Sequence, residues 1–163
     1  MLLPIGYNTS SEKKTKEGLM RREDWTLLVI AAGGSGRLSP VKLQKSLFLL
    51  GKELSGSQLQ CGDFYDFQAY DYGPFAREIY SDAEFLESQD LVSISRPINS
   101  YRRYRITTEG LQRAGELRSQ LTTQAASYLD EVVQWTQRLP FDVLISAIYK
   151  AYPDMKVNSV FRD

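Results

Sequence analysis

The chain has 163 residues, and its 20 lysines and arginines balance 20 aspartates and glutamates, so the formal net charge is zero. This length suits one domain with an appended helical piece. A dedicated nonspecific nucleic-acid binder is usually strongly basic, so any contact with phosphate must come from local clusters of cations. No apolar run approaches the roughly 18 residues that a membrane span needs, and we expect a cytoplasmic protein without membrane contact.

The residue types that carry most catalysis and metal binding are scarce. Histidine is absent, and Cys61 is the single cysteine. A lone cysteine forms neither an internal disulfide nor a thiol zinc site, and the missing histidine removes the usual general base. We therefore expect a protein that is not an enzyme and holds no metal or cofactor. A glycine-rich string at residues 30–37, followed by Lys42, resembles the phosphate loop of nucleotidyltransferases and leaves nucleotide binding as an alternative.

The first 22 residues mix small polar side chains with an excess of cations. We expect a flexible basic tail, either a solvated leader or an arm that touches phosphate or an acidic partner. The apolar run at residues 25–32 predicts a first helix, because Glu23 and Asp24 favour a helix N-terminus and Gly33 and Gly34 favour its end.

A second helix is predicted from Ser39, a good N-cap, with Pro40 at the first helical position. One stripe of this helix carries four leucines: Leu43, Leu47, Leu50 and Leu54. Its other side carries three lysines: Lys42, Lys45 and Lys52. We expect the leucines to face the core, while the lysines form either a solvated face or phosphate contacts.

The segment at residues 63–72 concentrates five aromatic residues: Phe64, Tyr65, Phe67, Tyr70 and Tyr72. We expect these rings to fill a core or a strand, and stacking on bases is the alternative.

Residues 70–110 combine a predicted helix with a predicted hairpin. Gly73 breaks the aromatic run, and Pro74 can open a helix because its missing N–H is one that the first turn leaves unpaired. Four apolar residues then recur at helical spacing and predict a buried face: Phe75, Ile79, Ala83 and Leu86. Asp82 falls within this stripe, so either a nearby arginine pairs with its carboxylate or the helix is more exposed than the stripe indicates.

The hairpin is predicted from two segments joined by a turn. Residues 91–95 alternate apolar and polar side chains, and residues 101–107 offer a second strand across the turn at residues 97–100. A helix followed by a hairpin is the outline of a winged helix. The hairpin also carries four arginines and no acid: Arg96, Arg102, Arg103 and Arg105.

The C-terminal third predicts a long helix that begins near Thr107 or Thr108. Four residues repeat along it at seven-residue intervals, beside a second stripe that begins at Leu111: Ala114, Leu121, Tyr128 and Trp135. Unbroken to Arg138, this helix would be about 45 Å long. It therefore either bends near Thr122 and folds back on its own core, or projects and forms a homodimer contact. One further short helix is predicted beyond residue 140.

Four pieces of the chain, taken in order, carry a family resemblance: Lys42-Leu43-Gln44-Lys45, Tyr72-Gly73-Pro74-Phe75, Tyr104-Arg105-Ile106-Thr107 ahead of Thr108-Glu109-Gly110, and Tyr152-Pro153-Asp154 followed by Asn158-Ser159. Across about residues 25–160 the chain resembles the YwgA-like group of small, mostly uncharacterised bacterial proteins and, more distantly, the Panacea (SocA-type) domain of antitoxins. The resemblance implies a winged-helix-like, mainly helical fold and a non-catalytic role in regulation, toxin neutralisation or defence. It brings no catalytic residue with it.

The sequence thus predicts a mainly α fold with a small β-hairpin. Its parts are a basic tail (1–22), a winged-helix-like domain (23–110) and a C-terminal helical extension (111–163). One functional hypothesis is a DNA-binding regulator, with the predicted helix at the major groove of a duplex and the hairpin arginines on phosphates. The four carboxylates of that helix oppose this arrangement, because they would repel phosphate.

The second hypothesis is a protein-binding accessory or antitoxin-like module in a phage or defence context, which a neutral net charge suits better. The same residues are the candidate contacts for either partner: Lys42, Lys45, Arg77, Tyr80, Ser81, Arg96, Arg102, Arg103 and Arg105.

Overall fold

A computed structural model of the chain describes residues 3–4, 20–35 and 38–162. Most of the predicted basic tail, together with Gly36 and Arg37 of the glycine-rich string, lies outside the described residues. Arg22, at the end of the predicted tail, is instead the first residue of a helix.

The described residues form a mainly helical fold, as predicted. The helices are α1 (Arg22–Ala32), α2 (Pro40–Glu53), α3 (Gly56–Leu59), α4 (Glu78–Ser88), α5 (Thr108–Arg118), α6 (Thr123–Arg138) and α7 (Phe141–Ala151), followed by a short 3-10 turn at Pro153–Lys156. The strands pair as antiparallel hairpins, β1 (Gln68–Tyr70) with β2 (Gly73–Phe75) and β3 (Val92–Ser95) with β4 (Arg103–Ile106). The β3–β4 hairpin was predicted from the sequence, and the β1–β2 hairpin was not.

The order of elements is that of a winged helix with an insertion. Leu38 forms an antiparallel bridge with Tyr104, whose backbone N–H groups and carbonyls exchange bonds of 3.0 and 2.9 Å. A one-residue strand between α1 and α2 therefore joins the β3–β4 hairpin, and α4 leads into that hairpin. Residues 54–77, with the β1–β2 hairpin, lie between α2 and α4.

Helix α1 lies at the centre of the fold and contacts α2, α4, α5, α6 and β4. Every residue from Trp25 to Ile30 is buried, which matches a helix whose run is apolar on all sides. The Trp25 indole N–H donates to the Leu59 carbonyl at 2.8 Å, so the polar atom of this buried ring is satisfied. The free thiol of Cys61 is also buried, as expected of a packing residue.

The prediction that α2 exposes a lysine face is wrong for Lys45, which is 3% exposed. Helix α2 is covered by α6 on one side and by β2 on another, so residues 43–50 are buried without interruption. Lys45 donates from Nζ to the Pro74 carbonyl at 3.0 Å, and half-buried Lys42 donates to the Gln137 carbonyl at 2.9 Å. Lys52 alone of these lysines is exposed.

Helix α4 begins at Glu78 and not at Pro74, which lies in β2. The segment before it does not continue as a helix, because Gly73 has a φ of +95° and because the Gln44 side chain binds both backbone groups of Ala76. Phe75 therefore belongs to a strand. The remaining stripe residues are buried on one face of α4, as predicted: Ile79, Ala83 and Leu86.

The C-terminal segment bends and does not project. Helix α5 ends at Arg118 and α6 begins at Thr123, with the Thr122 hydroxyl accepting from the Ala125 N–H at 3.1 Å. Arg118 is paired with Asp130 across the bend. The predicted stripe on α6 is buried against α1 and α2, and it is not available as a homodimer contact: Ala125, Tyr128, Val132 and Trp135.

Leu111, the start of the second predicted stripe, is 57% exposed, so that part of the heptad pattern is wrong. Helix α7 confirms the short helix predicted beyond Pro140. Within the described residues, no helix combines the length and apolarity that a bilayer crossing requires.

Candidate functional site

Two of the hairpin arginines are paired with acids of α4. Arg96 donates to both carboxylate oxygens of Glu87 at 3.1 and 2.9 Å, and Arg102 donates to Glu84 at 3.0 Å. The hydrogen bonds from Arg96 lower the pKa of the Glu87 carboxyl. Both pairs are partly solvated, so each contributes little to stability. These ion pairs hold the hairpin against α4. They also engage two arginines that the sequence analysis treated as available to bind a ligand.

Arg96 also covers the outer edge of β3. Its guanidinium donates to the Ile94 carbonyl at 3.3 Å, while the Ile94 backbone N–H helps to lower the pKa of Glu87. An unpaired strand edge is a template for pairing with another chain, and charged side chains protect it. The Arg96–Glu87 pair therefore closes this edge to strand addition.

Arg103 and Arg105 point away from the core on the outer side of the same hairpin. Tyr104 between them is buried, so the alternation of β4 turns the arginines outward. The Arg103 guanidinium lies 4.6 Å from the centre of the Tyr101 ring and donates to its hydroxyl at 3.1 Å.

The outward face of α4 is acidic. Its exposed residues include Arg77 at the N-terminal end, Ser81 and Ser88, with Phe85 at 49% exposure among them. Glu78 and Glu84 are exposed on the same helix.

Tyr80, another candidate contact residue, is half-buried beside α2. Burial raises the pKa of its hydroxyl, and the neighbouring Gln44 side chain opposes this shift. The candidate contact residues at α4 are therefore one cation (Arg77), one phenol (Tyr80) and one hydroxyl (Ser81).

The partner that Asp82 requires is Arg22. Its Nε donates to the Asp82 carboxylate at 3.0 Å, and the Tyr65 hydroxyl donates to the same oxygen at 2.6 Å. Because that proton points to Asp82, the Thr26 hydroxyl 2.7 Å away donates to the Tyr65 oxygen. The predicted arginine partner is confirmed, and its role is to join α1 to α4.

A set of three aromatic rings, here called the aromatic platform, lies between the β1–β2 hairpin and α4: Tyr70, Phe75 and Tyr80. Tyr70 and Phe75 are stacked with ring centres 5.1 Å apart, and the Tyr80 ring meets Phe75 edge-on at 5.6 Å. Tyr70 is 53% exposed, and the other two are half-buried. The expectation that the aromatic segment fills a core or a strand is met by Tyr65, which is buried, and by Tyr70, which lies in β1, but it is wrong for Tyr72, which is exposed between the two strands.

Helix α2 holds the platform from below through its Gln44 and Lys45 side chains. The Gln44 amide accepts from the Ala76 N–H and donates to the Ala76 carbonyl, both at 2.9 Å, and Lys45 binds the Pro74 carbonyl. Burial lowers the pKa of Lys45 to about 7. A Cβ added to Gly73 would lie 3.1 Å from the Tyr149 ring, so the absent side chain lets this ring approach the strand.

The C-terminal segment holds the other strand. The Asn158 side chain donates to the Ala69 carbonyl at 3.2 Å, and the Ser159 hydroxyl donates to the Asp71 carbonyl at 3.2 Å. The Val160 N–H donates to the same Asp71 carbonyl at 3.0 Å. Three separated segments thus fix one short hairpin. Several residues quoted above for the family resemblance act as these supports: Gln44, Lys45, Gly73, Asn158 and Ser159.

An open cleft of about 490 Å³ lies beside the platform, and Tyr70 and Phe75 form part of its wall. The cleft is lined by charges of both signs. Arg22 and Arg77 are the cations, and the carboxylates are those of Asp63, Asp66 and Glu78. The described residues contain no group of three or more metal-ligating side chains placed to hold an ion. The sequence signal for this site is the short interval between Tyr70 and Phe75, with Gly73 between them. A short interval with a glycine is typical of a hairpin, but it does not indicate which face of the hairpin is exposed.

A scan for protein families found no family model that matches the chain, and a search among curated proteins found no match.

Proposed function

We propose that this chain is a non-catalytic protein-binding module, of the accessory or antitoxin-like kind, that docks its partner on the aromatic platform and the adjoining cleft. The observation that carries the proposal is an exposed stack of rings on a hairpin that α2, α7 and the C-terminal segment all restrain. Rigid aromatic anchors lose little conformational entropy on binding, so they contribute strongly to the affinity of protein interfaces.

The charges around the platform support a protein partner over a polyanion. Arg77 is a cation at the edge of the cleft, but Asp63, Asp66 and Glu78 line the same space. Carboxylates repel phosphate, whereas a protein surface supplies lysines, arginines and amide donors that pair with them. A mixed rim of this kind therefore favours a partner that carries both signs of charge.

Duplex DNA binding through α4 is less well supported by this geometry. The helix that would enter the major groove exposes Glu78 and Glu84, and the arginines that would offset them are engaged, Arg96 with Glu87 and Arg102 with Glu84. A groove contact would require these pairs to open or would place carboxylates near phosphates.

The test uses a photo-crosslinking amino acid at position 70 in the host cells, compared with the same amino acid at position 111. Leu111 is the matched control because it is similarly exposed, at 57%, but lies on α5. We expect a crosslinked partner at position 70 only, unaffected by nuclease.

The purified partner then binds the full chain in a fixed ratio in calorimetry. Tyr70→Ala and Phe75→Ala each weaken that complex by roughly thirtyfold, about 2 kcal/mol, as expected for interface anchors, while Leu111→Ala leaves the Kd unchanged. Equal crosslinking at both positions, or a complex indifferent to both platform variants, would refute the proposal.

A further inference from the structure

The outer face of the β3–β4 hairpin carries a second set of polar groups that the protein-binding proposal does not use. In the register of the hairpin, Ser93 lies opposite Arg105 and Ser95 lies opposite Arg103. These four residues line a cavity of about 120 Å³. No carboxylate is among them, in contrast to the cleft beside the platform.

The arginines of this face have N–H groups that a ligand can accept hydrogen bonds from. In the described part of the chain, Arg105 makes no hydrogen bond or ion pair, unlike Arg96 and Arg102. Arg103 donates from one nitrogen to the Tyr101 hydroxyl, and a guanidinium has five N–H groups, so others remain. Lys42 lies near this face: burial lowers its pKa, and repulsion from the neighbouring Arg103 charge lowers it further.

Two guanidinium groups and two hydroxyls around one small cavity are the donor set that a phosphate group prefers. Tyr101 extends this face with a ring that is 54% exposed. Arg103 lies over that ring, so the cation and the aromatic surface are adjacent. We propose that this outer face binds single-stranded nucleic acid, with a backbone phosphate at Arg103 and Arg105 and an unpaired base on Tyr101.

The arrangement favours a single strand over a duplex for two reasons. A base stacks on an exposed ring when it is unpaired, and base–aromatic stacking is the usual device of single-strand binders. A duplex seated on the hairpin as on a wing would also bring α4 to the groove, where Glu78 and Glu84 are exposed. A single strand can follow the outer face of the hairpin and avoid that helix.

This inference is independent of the proposed function, because the cavity and the aromatic platform share no residue. A chain with both surfaces would link a protein partner to a nucleic-acid strand. Loss of one activity in a variant therefore leaves the other measurable.

The test is fluorescence anisotropy of the full chain with a short fluorescein-labelled thymidine oligomer at low salt. We expect saturable binding that inorganic phosphate competes away and that a duplex of the same length does not match. The variant Arg103→Gln with Arg105→Gln should weaken binding at least about tenfold and reduce the slope of log K against log salt by roughly one. Tyr101→Ala should weaken it by about tenfold through lost stacking.

The matched control is Lys52→Gln with Lys150→Gln, which removes the same charge from two exposed lysines on α2 and α7. This control should bind as the unaltered chain does. Circular dichroism checks that each variant is folded. Absence of binding by the unaltered chain, equal losses in the control, or a duplex affinity as high as that of the single strand would each overturn the inference.

Discussion

The Gln44 side chain pairs with the backbone of Ala76 as a neighbouring strand would, accepting from its N–H and donating to its carbonyl at 2.9 Å each. Both groups are buried, so α2 supplies the bonds that an extended segment ahead of α4 cannot make for itself. This single amide couples the central helix pair to the hairpin that carries the aromatic platform.

Replacement of Gln44 by methionine keeps the length of the side chain and removes both bonds. Because two buried backbone groups then lack partners, we expect the free energy of unfolding to fall by about 2–4 kcal/mol. Urea denaturation measures this loss. Gln134→Met, at an exposed position of α6, should change stability by no more than about 0.5 kcal/mol. Similar values for the two variants would contradict the role assigned to Gln44.

The buried Lys45 predicts a pH dependence of stability. Its pKa is lowered to about 7 in the folded chain and returns to about 10.4 in the unfolded chain. Between these values the unfolded state binds more protons, so stability should rise with pH, by up to about 1.4 kcal/mol per unit. Below pH 7 the ammonium is charged in both states and the slope vanishes.

The comparison for Lys45 is Lys45→Met, measured by urea denaturation from below pH 7 to above pH 9. The difference in stability between the two chains isolates the lysine, since other titrating groups are common to both. We expect the unaltered chain to gain on the variant as the pH rises. A difference that stays constant across this range would show that Lys45 titrates normally.

The Arg22–Asp82–Tyr65 network predicts a loss of stability when its acceptor is removed. Asp82→Ala leaves the Arg22 guanidinium and the buried Tyr65 hydroxyl without their shared carboxylate. We expect a loss of roughly 1–3 kcal/mol in thermal or urea unfolding. Asp154→Ala removes an exposed carboxylate from the 3-10 turn and serves as the control, with little expected change. A loss as large in the control would contradict the network's role.

Two glycines of α5 make a matched pair for substitution. A Cβ at Gly110 would lie 1.9 Å from the Leu91 carbonyl oxygen, whereas one at Gly115 meets nothing within 4 Å. Gly110→Ala should therefore destabilise by about 3 kcal/mol or more, because the backbone of Leu91 must move. Gly115→Ala should stabilise by up to about 1 kcal/mol, since alanine favours a helix. The melting temperatures of the two variants in calorimetry distinguish these outcomes, and a stable Gly110→Ala chain would contradict the close packing of α5 on the Leu91 backbone.

The sequence by itself determined the elements whose signals are local. Ser39 with Pro40 marked the start of α2, and the alternation at residues 91–95 marked β3. Asp82 within an apolar stripe indicated a charged partner, but the sequence assigned Arg22, which fills that role, to the tail. Proline next to glycine was a weaker signal. Pro74 fits the first turn of a helix and an extended strand equally well, and the choice was made by Gln44, which binds Ala76 thirty-two residues further along the chain.

Only the tertiary structure decided which charged and aromatic side chains are exposed. Lys42, Lys45 and Lys52 share a helical pattern, but β2 covers Lys45 and leaves Lys52 in solvent. Arg96 and Arg102 look like Arg103 and Arg105 in the sequence. In the hairpin, however, the first two lie just beyond the strand ends and pair with acids of α4, whereas the other two lie on the outer face of β4. Periodicity predicts which face of an element is apolar, whereas the partner that covers a polar face depends on how distant segments pack.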